Sequence, residues 1–194
     1  MNIKKYNHAF MIARFQPLHN GHKMIIDKML NESKYITIIL GSCQESGTDS
    51  NPLTPEQRLN LIENIYHKKE NMKIFFMNDI DCDANAWYDF VKKFLKENVP
   101  QFGFPDAYYC GDMVNGEFYN KGEFKIEVID RELQKGYFKI SATEVRDMIK
   151  KNNNEWKNYI PKENHELIEQ YFKELNNNKD KKENIGDNDK KNKN

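Results

Sequence analysis

The chain has 194 residues, room for one large domain and a tail but hardly for two catalytic domains. Its 30 basic residues balance 30 acidic ones, so no field of one sign points to nucleic acid or an anionic membrane, and an anionic ligand would need a local basic cluster. The mean hydropathy of -0.91 is low for a globular protein, but 17 of the 19 positions from Asn176 to Asn194 are Asn, Lys, Asp or Glu, so a disordered tail is expected at 176–194 behind a folded domain of residues 1–175.

Along the chain, His8–Ala13 reads as a short buried strand, stopped at Pro17. A helix follows, with Asn20 as its expected cap and Met24, Ile25, Met29 and Leu30 at helical spacing. Tyr35–Leu40 reads as a second strand bounded by Gly41. After a polar loop, Thr54-Pro55-Glu56-Gln57 carries an N-cap, a proline at the first helical position and a capping-box glutamine, opening a helix to about Tyr66. Met72–Met77 is a third strand, Asn85 to about Glu97 a third helix, Asp106–Cys110 a fourth strand and Phe124–Ile129 a fifth. This alternation predicts an α/β fold, a Rossmann-like open parallel sheet with helices on both faces. Such sheets bind ligands at the carboxyl ends of their strands, which directs attention to the loops after the first, second and fourth.

Apolar stretches such as Ala9–Ala13 are far short of the roughly 18 residues a membrane helix needs. Lys4 and Lys5 precede one, but Arg14 interrupts it before a signal-peptide core could form, so a cytoplasmic protein is expected. Cys43, Cys82 and Cys110 lack CxxC spacing and read as reduced thiols.

The loop leaving the first strand reads Ala13-Arg14-Phe15-Gln16-Pro17-Leu18-His19-Asn20-Gly21-His22 and runs straight into a helix. His19 and His22 stand three apart across the helix start, where backbone N–H groups and the helix dipole also favour an anion. Gly21 would let a large anion approach the backbone, and Arg14 offers a permanent charge with a planar fork. Together they suit a phosphate chain. The same pair could instead be half a zinc site, although no third ligand stands at suitable spacing, or a plain capped helix. About 120 residues later, Ile140-Ser141-Ala142-Thr143-Glu144-Val145-Arg146 offers a second cradle, with Ser141 or Thr143 as cap and Arg146 on the face of Thr143. Taken alone, it could equally be an ordinary capped helix.

His19-Asn20-Gly21-His22 and the segment Ile140 to Arg146 resemble, in order and spacing, the HxGH and ISxTxxR motifs of the nucleotidylyltransferase superfamily. With ARFQPLHNGH, GSCQ, NPLTPEQR and an acidic loop before Trp87, residues 8 to about 172 are most similar to its archaeal-type nicotinamide-nucleotide adenylyltransferases. Some bacterial relatives append a Nudix domain, for which no room is expected here. The resemblance implies transfer of AMP from ATP to nicotinamide mononucleotide by direct in-line attack, giving NAD and pyrophosphate. The attacking phosphate is already anionic, so no general base is required. Mg²⁺ would ride mainly on the phosphates.

By motif position, His19, His22, Arg14 and Arg146 would act on the phosphates. Phe15, Gln16, Gly21, Gly41, Ser141 and Thr143 would serve the ATP site. Trp87, Asp79 and Ser42 would serve the acceptor, the indole stacking on its cationic ring and the Asp79-Ile80-Asp81-Cys82-Asp83 stretch forming the wall. The alternative is that Trp87 packs the third helix. Relatives commonly assemble, so a homo-oligomer is compatible with this reading; no nucleic acid or membrane partner is expected.

Two positions depart from the pattern. Ala13 stands where relatives usually have Gly. Ser50 stands where they often carry Arg or Lys, a charge serine cannot replace, and Lys5, Lys23, Arg58 and Lys139 are candidates to supply it. Two other functions are therefore carried forward. One is a related transferase acting on nicotinate mononucleotide or another phosphorylated acceptor. The other is a nucleotide-binding regulator without turnover.

Overall fold

The computed structural model of the protein describes residues 3–129 and 141–177. Five strands, β1 (Tyr6–Ala13), β2 (Ser33–Leu40), β3 (Met72–Phe76), β4 (Ala107–Cys110) and β5 (Lys125–Val128), form one sheet in the order β3-β2-β1-β4-β5. Every pairing is parallel. The order reverses direction at β1, so the carboxyl ends of β1 and β4 flank the crevice where such sheets bind ligands.

Side-chain alternation along β1 divides the core between the two faces. Ala9 and Met11 join one apolar cluster with Ile36, Ile38 and Leu40, while Phe10 joins the other with Ile39, Tyr108 and Cys110. Helices α1 (Asn20–Glu32) and α2 (Pro55–Tyr66) cover the first face through Ile25, Ile26, Met29, Leu61 and Ile62. Helix α3 (Ala84–Asn98) covers the second through Tyr88, Val91 and Leu95. Each fully buried residue of this size adds about 1.5–3 kcal/mol, so both sheet faces contribute to holding the strand ends in place.

The expected strands are all present, with bounds shifted by one or two residues. Thr54 and Gln57 form the expected reciprocal cap of α2. Two helices were not expected. Helix α4 (Met113–Tyr119) follows β4 and approaches β5 so closely that a Cβ at Gly116 would lie 3.0 Å from Ile126 Cγ2. After α5 (Ala142–Lys150), a further helix, α6, covers 165–177 and buries Ile168, Tyr171 and Phe172 against the first face. Residues 176 and 177 carry helical backbone, while 178–194, the rest of the expected tail, lie outside the described residues, as do Lys139 and Ile140. Among the described residues, no helix is long and apolar enough to cross a membrane. Cys43, Cys82 and Cys110 are all free thiols.

Candidate active site

Beyond Ala13, paired with Leu40 at the end of β1, the chain turns through Phe15 in the left-handed region (φ 51°) and enters α1. The residue that caps α1 is His19, not Asn20. Its Nδ1 accepts from the Gly21 N–H at 3.1 Å, while His22 Nδ1 accepts from the His19 N–H at 3.4 Å. Asn20 turns the other way and ties the helix start to the C-terminal segment, donating its side chain to the Asn158 carbonyl and its N–H to that of Tyr159. The two imidazoles stack with centroids 3.8 Å apart, and Phe15 packs on His22 at 4.7 Å. A ring whose Nδ1 accepts a hydrogen bond carries its proton on Nε2 when neutral, so this network makes both histidines Nε2–H donors.

The second motif closes over the first. Ser141 caps α5, accepting from the Glu144 N–H at 3.2 Å and donating its hydroxyl to the Glu144 carboxylate at 2.8 Å. Thr143 is not the cap, and its Oγ1 accepts instead from Arg146 Nη2 at 3.0 Å. Arg146 Nη1 donates to the Gln16 carbonyl at 2.8 Å, which locks α5 to the loop after β1. Residues of both motifs thus line one groove of about 210 Å³, with His19, His22 and Arg14 on one side and Ser141, Thr143 and Arg146 on the other. Burial first, and then the charge of Arg14, hold the Arg146 guanidinium below its usual pKa. Two like charges kept this close form a site that an anion relieves.

Arg14 and His22 also line an adjoining cleft of about 530 Å³ at the carboxyl ends of β1, β2 and β4. Ala13, Gly41, Ser42, Asp79 and Trp87 line it too. A Cβ at Gly41 would meet Ile12 Cγ2 at an ordinary 3.7 Å, so any need for glycine there comes from a ligand rather than from the protein. Of the expected acidic wall only Asp79 reaches the cleft. Its two oxygens accept from the Ser42 N–H (3.3 Å) and Gln44 Nε2 (3.2 Å), stapling the loop after β2 to the loop after β3. Asp83 caps α3 through the Asn85 and Ala86 N–H groups. Asp81 and Cys82 are exposed.

Gln16 lines the groove between the two motifs, but its side chain is committed to the backbone of Leu53, donating to the carbonyl and accepting from the N–H at 2.9 Å each. Among the candidates to replace a base at Ser50, Lys23 pairs with Asp27 at 2.6 Å and Lys5 with Glu127. Among the described residues, a further cation outside those candidates stands beside the loop. Lys150, one helical turn past Arg146, pairs at 3.3 Å with Asp49, the neighbour of Ser50. Its i,i+4 spacing from Arg146 was the available signal.

Tyr119 was also missed, because it sits on α4. The Trp87 indole Nε1–H donates to its hydroxyl at 3.0 Å, and burial pushes the Tyr119 phenol up to about 12. Asp112 completes this end of the cleft beside Trp87, Tyr108 and Tyr119.

The cytidylyltransferase-like family model matches residues 10–148, spanning both motifs. A nicotinamide-nucleotide adenylyltransferase from Methanococcus vannielii is 31% identical over 156 residues, covering 80% of this chain and 84% of that protein. Another from Methanococcus aeolicus is 32% identical, covering 79% and 83%. Among solved structures, a bifunctional NMN adenylyltransferase/ADP ribose pyrophosphatase from Francisella tularensis superposes with a TM-score of 0.68 at 25% identity, covering 80% of this chain. This chain spans only 45% of that bifunctional protein.

Proposed function

Because the chain belongs to the cytidylyltransferase-like family and is a nucleotidyltransferase of the adenylyltransferase kind, we propose that it joins AMP from ATP to nicotinamide mononucleotide, releasing pyrophosphate and forming NAD. The observation that carries this reading is the sharing of Arg14 and His22 between the phosphate groove and the cleft beside Trp87. A group transferred between two nucleotides must lie where their sites meet, and these two residues stand at that junction.

In this reading the triphosphate occupies the groove, and the acceptor occupies the cleft with its ring on the Trp87 face. An oxygen of the acceptor 5′-phosphate attacks the α-phosphorus in line. The new P–O bond forms as the bond to the β-phosphate oxygen breaks, and that electron pair leaves on pyrophosphate. The nucleophile is already an anion, so the protein's work is positioning and charge stabilisation. His19 and His22 donate Nε2–H groups to the transferring and leaving phosphates. Arg14 and Arg146 neutralise charge that grows toward the leaving side, in a setting where burial strengthens each contact.

Among the described residues no group of three His, Cys, Asp or Glu side chains converges to hold a metal. In this reading a Mg²⁺ ion would arrive on the nucleotide and be held mainly by phosphate oxygens and water. Such an ion would supply further neutralisation of the β- and γ-phosphates. A neighbouring structure of the Francisella tularensis protein is complexed with AMP and a manganese ion.

The acceptor end of the cleft supports the carboxamide over the carboxylate form. Among the described residues, Asp79 and Asp112 line it, and its basic lining residues are Arg14 and His22 at the phosphate junction. A nicotinate carboxylate would meet like charges there. Cytoplasmic location belongs to the same proposal.

The test is an assay with ATP and Mg²⁺, offering nicotinamide mononucleotide, nicotinate mononucleotide, phosphopantetheine or glycerol 3-phosphate, with NAD and pyrophosphate measured separately. NAD formed with the first acceptor supports the reading. Pyrophosphate released only with another acceptor reassigns the substrate, and ATP binding without release points to a regulator.

A further inference from the structure

Arg58 is the largest fully buried side chain among the described residues, at 0% exposure on α2. Its Nη1 donates to the Arg14 carbonyl at 2.8 Å and the Gly41 carbonyl at 2.7 Å. Nη2 lies 3.5 Å from the Ser42 carbonyl and 3.4 Å from Cys43 Sγ. Nε is buried with no partner. Among the described residues no carboxylate pairs with this guanidinium, so a full charge is held inside the protein by neutral acceptors alone.

Such a group is costly to bury, and an apolar residue would fill a helix face at less expense. What the guanidinium achieves is visible in its partners. Arg14, Gly41 and Ser42 all line the cleft, the first at the end of β1 and the others at the end of β2. One planar group therefore fixes both strand ends that frame the reaction junction. The turns it fixes are uncommon ones, because Phe15, next to Arg14, has φ 51° and Ser42 has φ 52°. Non-glycine residues keep such a backbone only where the surroundings over-determine it.

We infer that Arg58 is a positioning residue for phosphoryl transfer. It sets the backbone from which Arg14 reaches the phosphates and holds the Gly41–Ser42 wall of the acceptor cleft in register with it. It touches neither substrate. This inference rests on the phosphate-transfer reading above.

The experiment compares Arg58→Lys and Arg58→Gln with the wild-type chain. Lysine keeps the charge but not the fork that bridges two carbonyls, and glutamine keeps a donor but not the charge. Folding is checked by circular dichroism and thermal melting, and kinetics are run at 20 °C, below either transition. In both variants kcat should fall by roughly 10–100-fold while each KM changes by less than about fivefold, because misplacement of a charge stabiliser is felt chiefly in the transition state. Two further arms, affinity for a non-hydrolysable ATP analogue and for inorganic tripolyphosphate, do not depend on the acceptor. Both affinities should weaken about threefold, so a wild-type chain inactive with nicotinamide mononucleotide would sink the functional reading without deciding this one.

Folded variants with wild-type kcat and affinities would overturn the positioning role and leave Arg58 a stability residue. Wild-type rates for Arg58→Lys alone would show that charge suffices and overturn the clamp. Failure of both variants to fold would likewise assign the residue to stability and defeat the proposal.

Discussion

The indole Nε1–H of Trp87 donates to the phenolic oxygen of Tyr119 over 3.0 Å, joining α3 to α4 at the cleft that both residues line. The bond fixes the rotation of the indole and hence the plane it offers to a flat cationic ring. Tyr119→Phe removes it at nearly constant volume. A lost hydrogen bond of about 1 kcal/mol corresponds to a rise of roughly fivefold in KM for nicotinamide mononucleotide with kcat little altered. Steady-state kinetics with ATP saturating reads this directly; an unchanged KM would mean that packing alone orients Trp87.

His19→Ala removes the Nε2–H donor and the α1 cap together. Turnover should drop by about 10²-fold or more, with a smaller change in ATP affinity, since the contact strengthens as charge develops. The cap costs about 1 kcal/mol of stability in its own right. His19→Asn retains a capping group, so a turnover loss in both variants assigns the effect to the imidazole. Recovery in the asparagine variant would assign it to the cap.

Asp112→Asn removes one of the two carboxylates that, among the described residues, line the cleft proposed to hold the acceptor. The ratio of kcat/KM for nicotinate over nicotinamide mononucleotide should rise several-fold, because roughly 1 kcal/mol of like-charge repulsion is relieved in a partly solvated site. Competition between the two nucleotides in one reaction, resolved by chromatography of the products, measures this ratio. No shift would place the discrimination elsewhere.

His8 is fully buried on β1, with Nδ1 against the Gly103 carbonyl at 2.7 Å and Nε2 against Thr37 Oγ1 at 2.9 Å. Burial lowers its pKa, with the Gly103 carbonyl and Asp106 opposing part of that shift. A folded-state pKa below the unfolded one, about 6.5, means that the unfolded chain binds more protons. The stabilising contribution is present above about pH 6.5 and is lost as pH falls from there through the lowered folded-state value. Urea midpoints at pH 7.5 and 5.5 should therefore fall more in the wild-type chain than in His8→Gln. Equal slopes would assign the acid sensitivity to other groups.

The parallel sheet was legible because its strands are β-branched, apolar runs separated by helical periods, and the signal of β1, α1, β2 and α2 is local. The histidine pair and Arg146 were legible through spacing. Other features were not. Asn20 outranks histidine as an N-cap by propensity, yet a neighbouring imidazole can accept the same hydrogen bond, and the contact with the C-terminal segment drew Asn20 away. By sequence Arg58 is a candidate to supply the charge missing at Ser50, and only the meeting of two strand ends over it reveals that it is buried and bound to carbonyls instead. Helix α4 has seven residues, an interior glycine and two exposed apolar residues, Met113 and Val114, so no period announces it. Tyr119 and its role at the cleft were hidden with it.

The bond from Arg146 to the Gln16 carbonyl joins residues 130 apart in sequence. A ribosome extends the chain from its N-terminus, so the histidine loop emerges well before the arginine that closes over it. Throughout that interval a nascent chain holds half of the groove and none of the far wall. If the groove holds the triphosphate as proposed, ATP would gain its full set of contacts only once α5 has docked, so nucleotide binding would favour the finished fold over every shorter intermediate. On that reading the ligand would act as a late proofreader of its own enzyme's assembly.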